Sequence, residues 1–567
     1  MHDCFCTKKF KSLLFAGSFT LAIQYLLMLS DTIIIGNILG ETELSAVNII
    51  NPVYSVAVFA AALNSIGTSV FYSYEMGRFN KDKANSLFGQ GVIIDLAAGI
   101  IMFIAGLLGR DLYFDFMNLS DNIKHLAGDY YFYYQFVIML FPVYTLLLDM
   151  VYTDGDGLIC DIANFVQMCV NIAASILLCR KIGIGGAGLG TLIGTILGMG
   201  VLLIHFFRKK NSLKFVWHIN IADVLKVVKC GMTDSGIYLF WALTSFAATK
   251  FTIKHFGEYY LPVLLVVINI IEMTIIFDGI GQAVTPIVNV YRGEENYVGI
   301  KRVMKAALKA ALAEGVIMSV LLFLLGGSIA EMFGISDTAL IKVSKTAIRL
   351  VCPFFFCSAV LFLQTTYYLI IEKEILATVI TGIKDWLLLT VFMLIFGCLF
   401  GINGVWAGFG ITPLAAFGVS TLIVIMRYGK DKFPLLLDST SKEVYIYDAY
   451  LNKENIINLR NEVEKLLLEK QISQQTIHRI MLVIEELCML TCEKNEGKKI
   501  LAECSIMIDK DVQIIMRDDG IIYDPTDCDG PISSLRSYMV SSLMINQPKK
   551  FNLVTTGYNR NMFRFDK

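Results

Sequence analysis

Between residues 12 and 427 one pattern returns about a dozen times: an apolar run of roughly 20 residues or more, then a short polar break. A run of that length crosses the hydrocarbon of a bilayer as an α-helix, and in that medium every backbone N–H and C=O must be bonded within its own segment. The body of the chain is therefore expected to be all-α, with about twelve transmembrane helices. The runs lie near 12–39, 45–74, 86–109, 128–152, 158–182, 187–207, 229–256, 260–291, 302–328, 341–371, 374–400 and 404–427. A chain of 567 residues that is 56% hydrophobic and 17% charged has too little polar surface for a soluble globule. The net charge of -1 leaves no basic excess and excludes nucleic acid as a partner.

Basic residues orient the spans. Lys8, Lys9 and Lys11, the 77–83 loop, the 208–214 stretch, Lys301 with Arg302, and the 427–432 stretch all fall on one side, which the positive-inside rule makes cytoplasmic. The 110–129 loop, with Asp111, Asp115, Asp121 and Asp129, is then external. Arg180 with Lys181, and the acidic turn at 154–161, run against the pattern. The start of the chain enters its first span without a small-residue cleavage site, so a multi-pass protein of the cell membrane with both termini cytoplasmic is expected. The 13 cysteines stand singly, many in apolar runs, and read as small buried hydrophobes.

The first run carries one carboxylate. Asp31 stands among aliphatic side chains in LLMLSDTIIIGNILG, residues 26–40. A charge at mid-membrane costs about 3 kcal/mol or more, so it is expected to face a partner, a cavity or an ion path. Gln24 and Met28 share its helix face and are candidates for the wall of a substrate cavity.

An internal repeat divides the spans. IGTSVFYSYEMGRFNKDKA after the second run echoes IGQAVTPIVNVYRGEENYVGIKR after the eighth, and GIGGAGLG at 183–190 echoes GINGVWAG at 401–408. The expected organisation is a six-helix half at 1–207, a cytoplasmic linker at 208–228 and a second six-helix half at 229–430, enclosing a substrate cleft.

The segment DTIIIGNILGETELSAVNIINP at 31–52, the loop SIGTSVFYSYEMGRFNKDKA, FPVYTLLLDMVYTDGDG at 141–157, GIGQAVTPIVNVYRG at 279–293 and GINGVWAG together resemble the multidrug and toxic compound extrusion (MATE) family over about residues 10–430. The resemblance implies a secondary-active antiporter, not an enzyme. It would export small organic, often cationic, compounds across the lipid bilayer in exchange for sodium or protons and require no cofactor. It places Asp31 as the ion-coupling carboxylate and Asn171 as a polar partner in the same lobe. Two departures follow: Ala16 stands where many members have a helix-bending proline, and Ser175 where many have a second aspartate. A sodium ion at Asp31 and Asn171, completed by Ser175, and a proton on Asp31 alone are both compatible with these residues.

Glu272 matches a glutamate frequent on the family's eighth helix and is a further ion-coupling candidate. Asp278 falls on another face of that run. Asp385 beside Lys384 reads as an ion pair or as a companion of a snorkelling lysine, and YYFYYQF at 130–136 reads first as an interfacial aromatic belt and second as a source of cation–π contacts to a substrate. Asp95 in GVIIDLAAG has no assigned role.

From residue 434 the composition changes to that of a small soluble α/β domain. QTIHRIMLVIEELCMLTCEKN at 475–495 has the period of an amphipathic helix, ILAECSIMID and VQIIMRDDG read as strands, and LVTTGYNRNMFRF suggests a further hairpin. IEELCML and DDGIIYDP resemble the histidine kinase-like ATPase fold, in its anti-sigma-factor serine kinase branch. The resemblance implies nucleotide contacts at Glu486, Asp518 and Gly520. Leu490 stands where a magnesium-binding asparagine belongs, and ISSLRSYMV lacks the lid glycines that let backbone N–H groups reach phosphates. The segment 434–567 is therefore read as a degenerate domain without ATP and magnesium chemistry, regulating the body or docking a cytoplasmic protein. The alternative for the whole chain is a membrane-anchored signalling protein that has lost transport. A flippase for lipid-linked precursors would want a strongly cationic cleft, which these spans do not display.

Overall fold

A computed structural model describes residues 4–77, 80–208, 211–437, 443–521, 523, 525, 536–540 and 558–567. Within its helices the side chains of residues 16, 20, 23, 24, 26–28, 233 and 234 lie outside the description. In chain order the helices are α1 (Phe5–Met28), α2 (Ser30–Ile38), α3 (Glu41–Gly77), α4 (Lys81–Met117), α5 (Asp121–Thr153), α6 (Gly157–Ile182), α7 (Gly185–Leu203), α8 (Ile221–Phe256), α9 (Leu261–Glu272), α10 (Asp278–Gly293), α11 (Tyr297–Met332), α12 (Thr338–Val351), α13 (Phe355–Ile370), α14 (Glu374–Gly382), α15 (Leu388–Phe400), α16 (Ile402–Tyr428), α17 (Lys453–Glu469) and α18 (Gln474–Lys494). Four strands follow the membrane body: β1 (Glu443–Tyr450), β2 (Leu501–Ile508), β3 (Asp511–Asp518) and β4 (Asn559–Asp566).

Among the described residues, 10 helices or linked helices are long and apolar enough to cross a membrane. The two remaining expected runs, 12–39 and 229–256, are also helical, in α1–α2 and α8, and contain the undescribed side chains. Short 3-10 turns join α9 to α10 and α12 to α13, and a π turn at Ile383–Leu387 joins α14 to α15. The echo of GIGGAGLG in GINGVWAG has a backbone counterpart. Gly183 and Gly401 each take a positive φ, +64° and +68°, just after a helix ends, and the next helix starts at once. Only glycine adopts that conformation without strain, so the same residue recurs where each half reverses the chain.

The contacts form two compact units. One comprises Thr20–Phe277 and Leu312–Thr421 and holds most of the apolar helices. Close helix packing here depends on glycine: a Cβ on Gly36 would lie 1.8 Å from the Phe333 carbonyl oxygen, so α2 meets the end of α11 backbone to backbone. The acidic turn that ran against the charge pattern finds partners locally. Asp156 pairs with Arg208 at 2.7 Å and meets Nδ1 of His205 at 3.0 Å, and Asp154 meets the other ring nitrogen, Nε2, at 2.8 Å.

The other unit comprises Met1–Phe19, Asp278–Ala311 and Leu422–Lys567. Its four strands run β1-β2-β3-β4, every neighbour antiparallel. Alternate residues of one face, Cys504, Ile506, Val512, Ile514, Met516 and Phe563, pack on Val463, Ile480 and Ile484 of the two tail helices. β2 is buried at all eight positions, so its outer face is covered as well. The hairpin expected at the end of the chain is described only through β4, which pairs with β3. Its other part, 553–557, lies outside the described residues.

Candidate functional site

Asp31 lies in the first turn of α2, after a turn at Leu29 that separates α2 from α1. Asn171 Nδ2 on α6 donates to both Asp31 oxygens at 2.8 Å. Thr191 Oγ1 on α7 stands 3.4 Å from Oδ2. Ser175, one helical turn beyond Asn171 and fully buried, donates to Asn171 Oδ1 at 3.1 Å and so fixes which end of the amide faces the carboxylate.

Glycine creates this constellation. A Cβ on Gly190 would stand 2.4 Å from Ser175 Oγ, and one on Gly194 2.6 Å from the Gln167 carbonyl oxygen. With Gly198 they form a smooth stripe at helical spacing on α7, and α6 closes against it. That approach carries Asn171, Ser175 and Thr191 to one place.

Sequence reasoning placed Asp31, Asn171 and Ser175 together and missed Thr191. The available signal was the stripe itself, since Thr191 and Thr195 share the helix that bears it. Gln24 and Met28 lie outside the described side chains. Glu272 is held elsewhere, at the C-terminus of α9, where the Trp241 indole N–H donates to its Oε1. Lys384 and Asp385 do form an ion pair, at 2.8 Å. The aromatic run departs from a belt: Tyr130, Tyr131 and Tyr134 are buried, with Tyr130 stacked on Tyr134 at 4.9 Å and Tyr54 edge-on to Tyr134 at 5.9 Å. Asp278 opens α10 and accepts from Gln282 at 3.2 Å.

In the tail, the Glu486 carboxylate is paired with Arg536 at 2.6 Å, and the same guanidinium reaches Glu493 at 2.9 Å. Leu490 is fully buried. Asp518 Oδ1 accepts from Asn559 at 2.8 Å and from the Gly520 N–H at 3.0 Å. Burial pushes the Asp518 carboxyl up to about 6, against the opposing pull of those two donors. A Cβ on Gly520 would meet Asn495 Nδ2 at 2.6 Å, which accounts for glycine in that turn. Residues 532–535 of the expected lid lie outside the described residues.

The sequence model of the MatE family matches residues 17–177 and 237–395. The chain is 24% identical over 346 residues to a probable multidrug resistance protein NorM of Idiomarina loihiensis, covering 58% of this chain and 73% of that one. It is 24% identical over 343 residues to the uncharacterised transporter YisQ of Bacillus subtilis, covering 56% and 73%. Among solved structures, the fold matches the inward-facing conformation of a MATE transporter of the MOP superfamily with a TM-score of 0.68 at 20% identity, covering 73% of this chain and 97% of that one. A MOP superfamily transporter from Pyrococcus furiosus matches with a TM-score of 0.60 at 20% identity, covering 74% and 96%.

Proposed function

This chain belongs to the MatE family, and from that premise we propose that it is a secondary-active exporter of small organic, chiefly cationic, compounds, coupled to an inward ion gradient through Asp31. The observation that carries the reading is the company Asp31 keeps. Its hydrogen-bond partners are the neutral groups of Asn171 and Thr191, and among the described residues no lysine, arginine or histidine pairs with it. An anionic carboxylate among helices without a counter-charge is neutralised at least cost by a proton or a small cation, and that exchange is what couples a gradient to a conformational change.

The amide geometry supports a proton as the coupling ion. Asn171 turns its N–H groups toward Asp31 while Ser175 holds its oxygen. A proton on Asp31 requires no rearrangement of that pair. Sodium prefers oxygen ligands, and its entry would require Asn171 to rotate and give up Ser175. The second reading, sodium held by Asp31, Asn171 Oδ1 and Thr191, thus predicts a turned amide in the loaded state. Efflux of a cationic dye from vesicles under an imposed pH or sodium gradient separates them.

For the tail, the reading is a degenerate histidine kinase-like domain that regulates the body. Its support is local: Glu486 is already neutralised by Arg536, position 490 offers an apolar side chain, and Asp518 spends an oxygen on Asn559 and Gly520. Cytoplasmic placement of both termini belongs to the same proposal.

A further inference from the structure

The outer face of the tail sheet carries one row of charge, a residue from each strand. Asp448 of β1 is the register partner of Glu503 of β2, Glu503 of Arg517 of β3, and Arg517 of Arg560 of β4. The row reads acid, acid, base, base. The turn between α10 and α11, with the start of α11, presents the opposite order. Arg302 reaches Asp448 at 2.9 Å, whereas Glu294 takes Arg517 on one oxygen and Arg560 on the other, the latter at 2.6 Å.

The fit is dry. Arg517 is 1% exposed, Glu503 0% and Glu294 6%, and Glu503 also holds Arg517 at 2.6 Å. Tyr291 donates to Glu503 at 2.7 Å and lies under the Arg517 guanidinium, 4.6 Å from ring centre to carbon. Asn296 donates to Ser505 at 3.3 Å. The start of α1 joins the same surface: the Phe5 N–H donates to Asp448 at 2.8 Å, Lys8 pairs with Asp519 at 2.8 Å, and Phe5 packs edge-on to Tyr558 at 5.4 Å.

We propose that this row is a docking code by which the tail clamps the α10–α11 turn and the start of α1 into one piece, and that the tail controls the membrane body by keeping or releasing that clamp. Three consecutive residues link the elements: Arg517 grips Glu294, Asp518 is held by Asn559, and Asp519 grips Lys8. A ligand or protein that disturbs the end of β3 and Asp519 therefore moves against the α10–α11 turn and the start of α1 at once. Opposed charge order also fixes the register: a one-strand shift toward β1 would set Glu294 against Glu503, and one toward β4 would take Glu294 off Arg517 and Arg302 off Asp448. The control of export rests on the exporter reading above; the clamp does not.

The test uses the full chain with a protease site inserted between Leu437 and Glu443, cut in detergent after purification. The cut tail is expected to stay with the membrane body on gel filtration. Glu294→Gln, and separately Arg302→Glu, should lower the retained fraction at least ten-fold, and Arg302→Glu with Asp448→Arg should restore most of it. Arg564→Glu, on β4 but outside the row, should leave retention unchanged. Loss of the tail should raise hydrogen exchange of residues 5–19 and 291–302 at least ten-fold and change the dye-efflux rate. Equal retention in the parent and Glu294→Gln would overturn the clamp. Unchanged exchange, or unchanged efflux after release, would overturn the control. Absence of efflux from every form, with retention and exchange behaving as expected, would instead overturn the exporter reading and leave the clamp standing.

Discussion

Asp31 and Asn171 meet through a single nitrogen: Nδ2 lies 2.8 Å from each carboxylate oxygen. The arrangement stabilises a negative carboxylate with neutral dipoles, and on the exporter reading a coupling ion cancels its charge. Removing the amide should therefore weaken the charged state. Hydrogen bonds to charged groups contribute about 1.5–3 kcal/mol, so Asn171→Ala is expected to shift the ion concentration for half-maximal transport by roughly 10- to 100-fold. Thr191→Val, which removes a longer contact, should shift it by about 2- to 10-fold. Dye efflux measured across a series of pH and sodium gradients reads both shifts. Equal ion dependence in the parent and Asn171→Ala would place the coupling elsewhere.

The packing of α6 on α7 should tolerate no added atom at Gly190. Gly190→Ala puts a Cβ 2.4 Å from Ser175 Oγ and 2.8 Å from its backbone nitrogen, and the backbone cannot move aside locally. Overpacking of this kind costs about 1–3 kcal/mol, and the expected result is a lower melting temperature in detergent with reduced efflux. Gly200→Ala, on the same helix with nothing within 4 Å of its Cβ, should behave as the parent.

Magnesium-dependent nucleotide chemistry is not expected from the tail. Titration of the full chain with ATP, with and without magnesium, should show no magnesium-dependent heat and no hydrolysis, because Leu490 is buried and Arg536 occupies the Glu486 carboxylate. Tight binding that requires magnesium would refute the degenerate reading.

Asp518 should make the tail lose stability as pH rises. Its folded-state carboxyl is pushed up to about 6, against about 3.9 in an unfolded chain. The folded state therefore holds the proton longer. The resulting contribution is fully present below about pH 4, is lost progressively up to about pH 6, and is on the order of 3 kcal/mol. Asp518→Asn keeps an acceptor for Asn559 and Gly520 while removing the charge, so it should flatten this dependence and stabilise the tail at pH 7. Urea-induced exposure of Cys504, fully buried in the tail core, to a thiol reagent, compared between parent and variant at each pH, measures the effect.

What the sequence carried, and what it did not, follows from how local each signal is. Length and apolarity marked the membrane helices because the hydrocarbon core imposes both on each span separately. Asn171 and Ser175 were legible through their one-turn spacing and the family resemblance. Thr191 was not, because a threonine in a glycine-rich helix serves packing as readily as hydrogen bonding until the partner helix is in place. The belt expected at 130–136 failed for a related reason: an aromatic run does not say which way it faces, and Tyr130, Tyr131 and Tyr134 turn inward. The row on the tail sheet was the least legible feature. Glu294 sits in a short charged turn 223 residues from Arg517, and only strand register aligns Asp448, Glu503, Arg517 and Arg560.

The most direct test of the account is gradient-driven efflux by Asp31→Asn in sealed vesicles. The amide is nearly isosteric, so insertion and the gel-filtration profile should match the parent. It neither releases a proton nor balances a cation, so dye efflux driven by an imposed pH or sodium gradient should fall to the level of vesicles without protein. Efflux at the parental rate under the same gradient would contradict the assignment of Asp31 as the coupling residue.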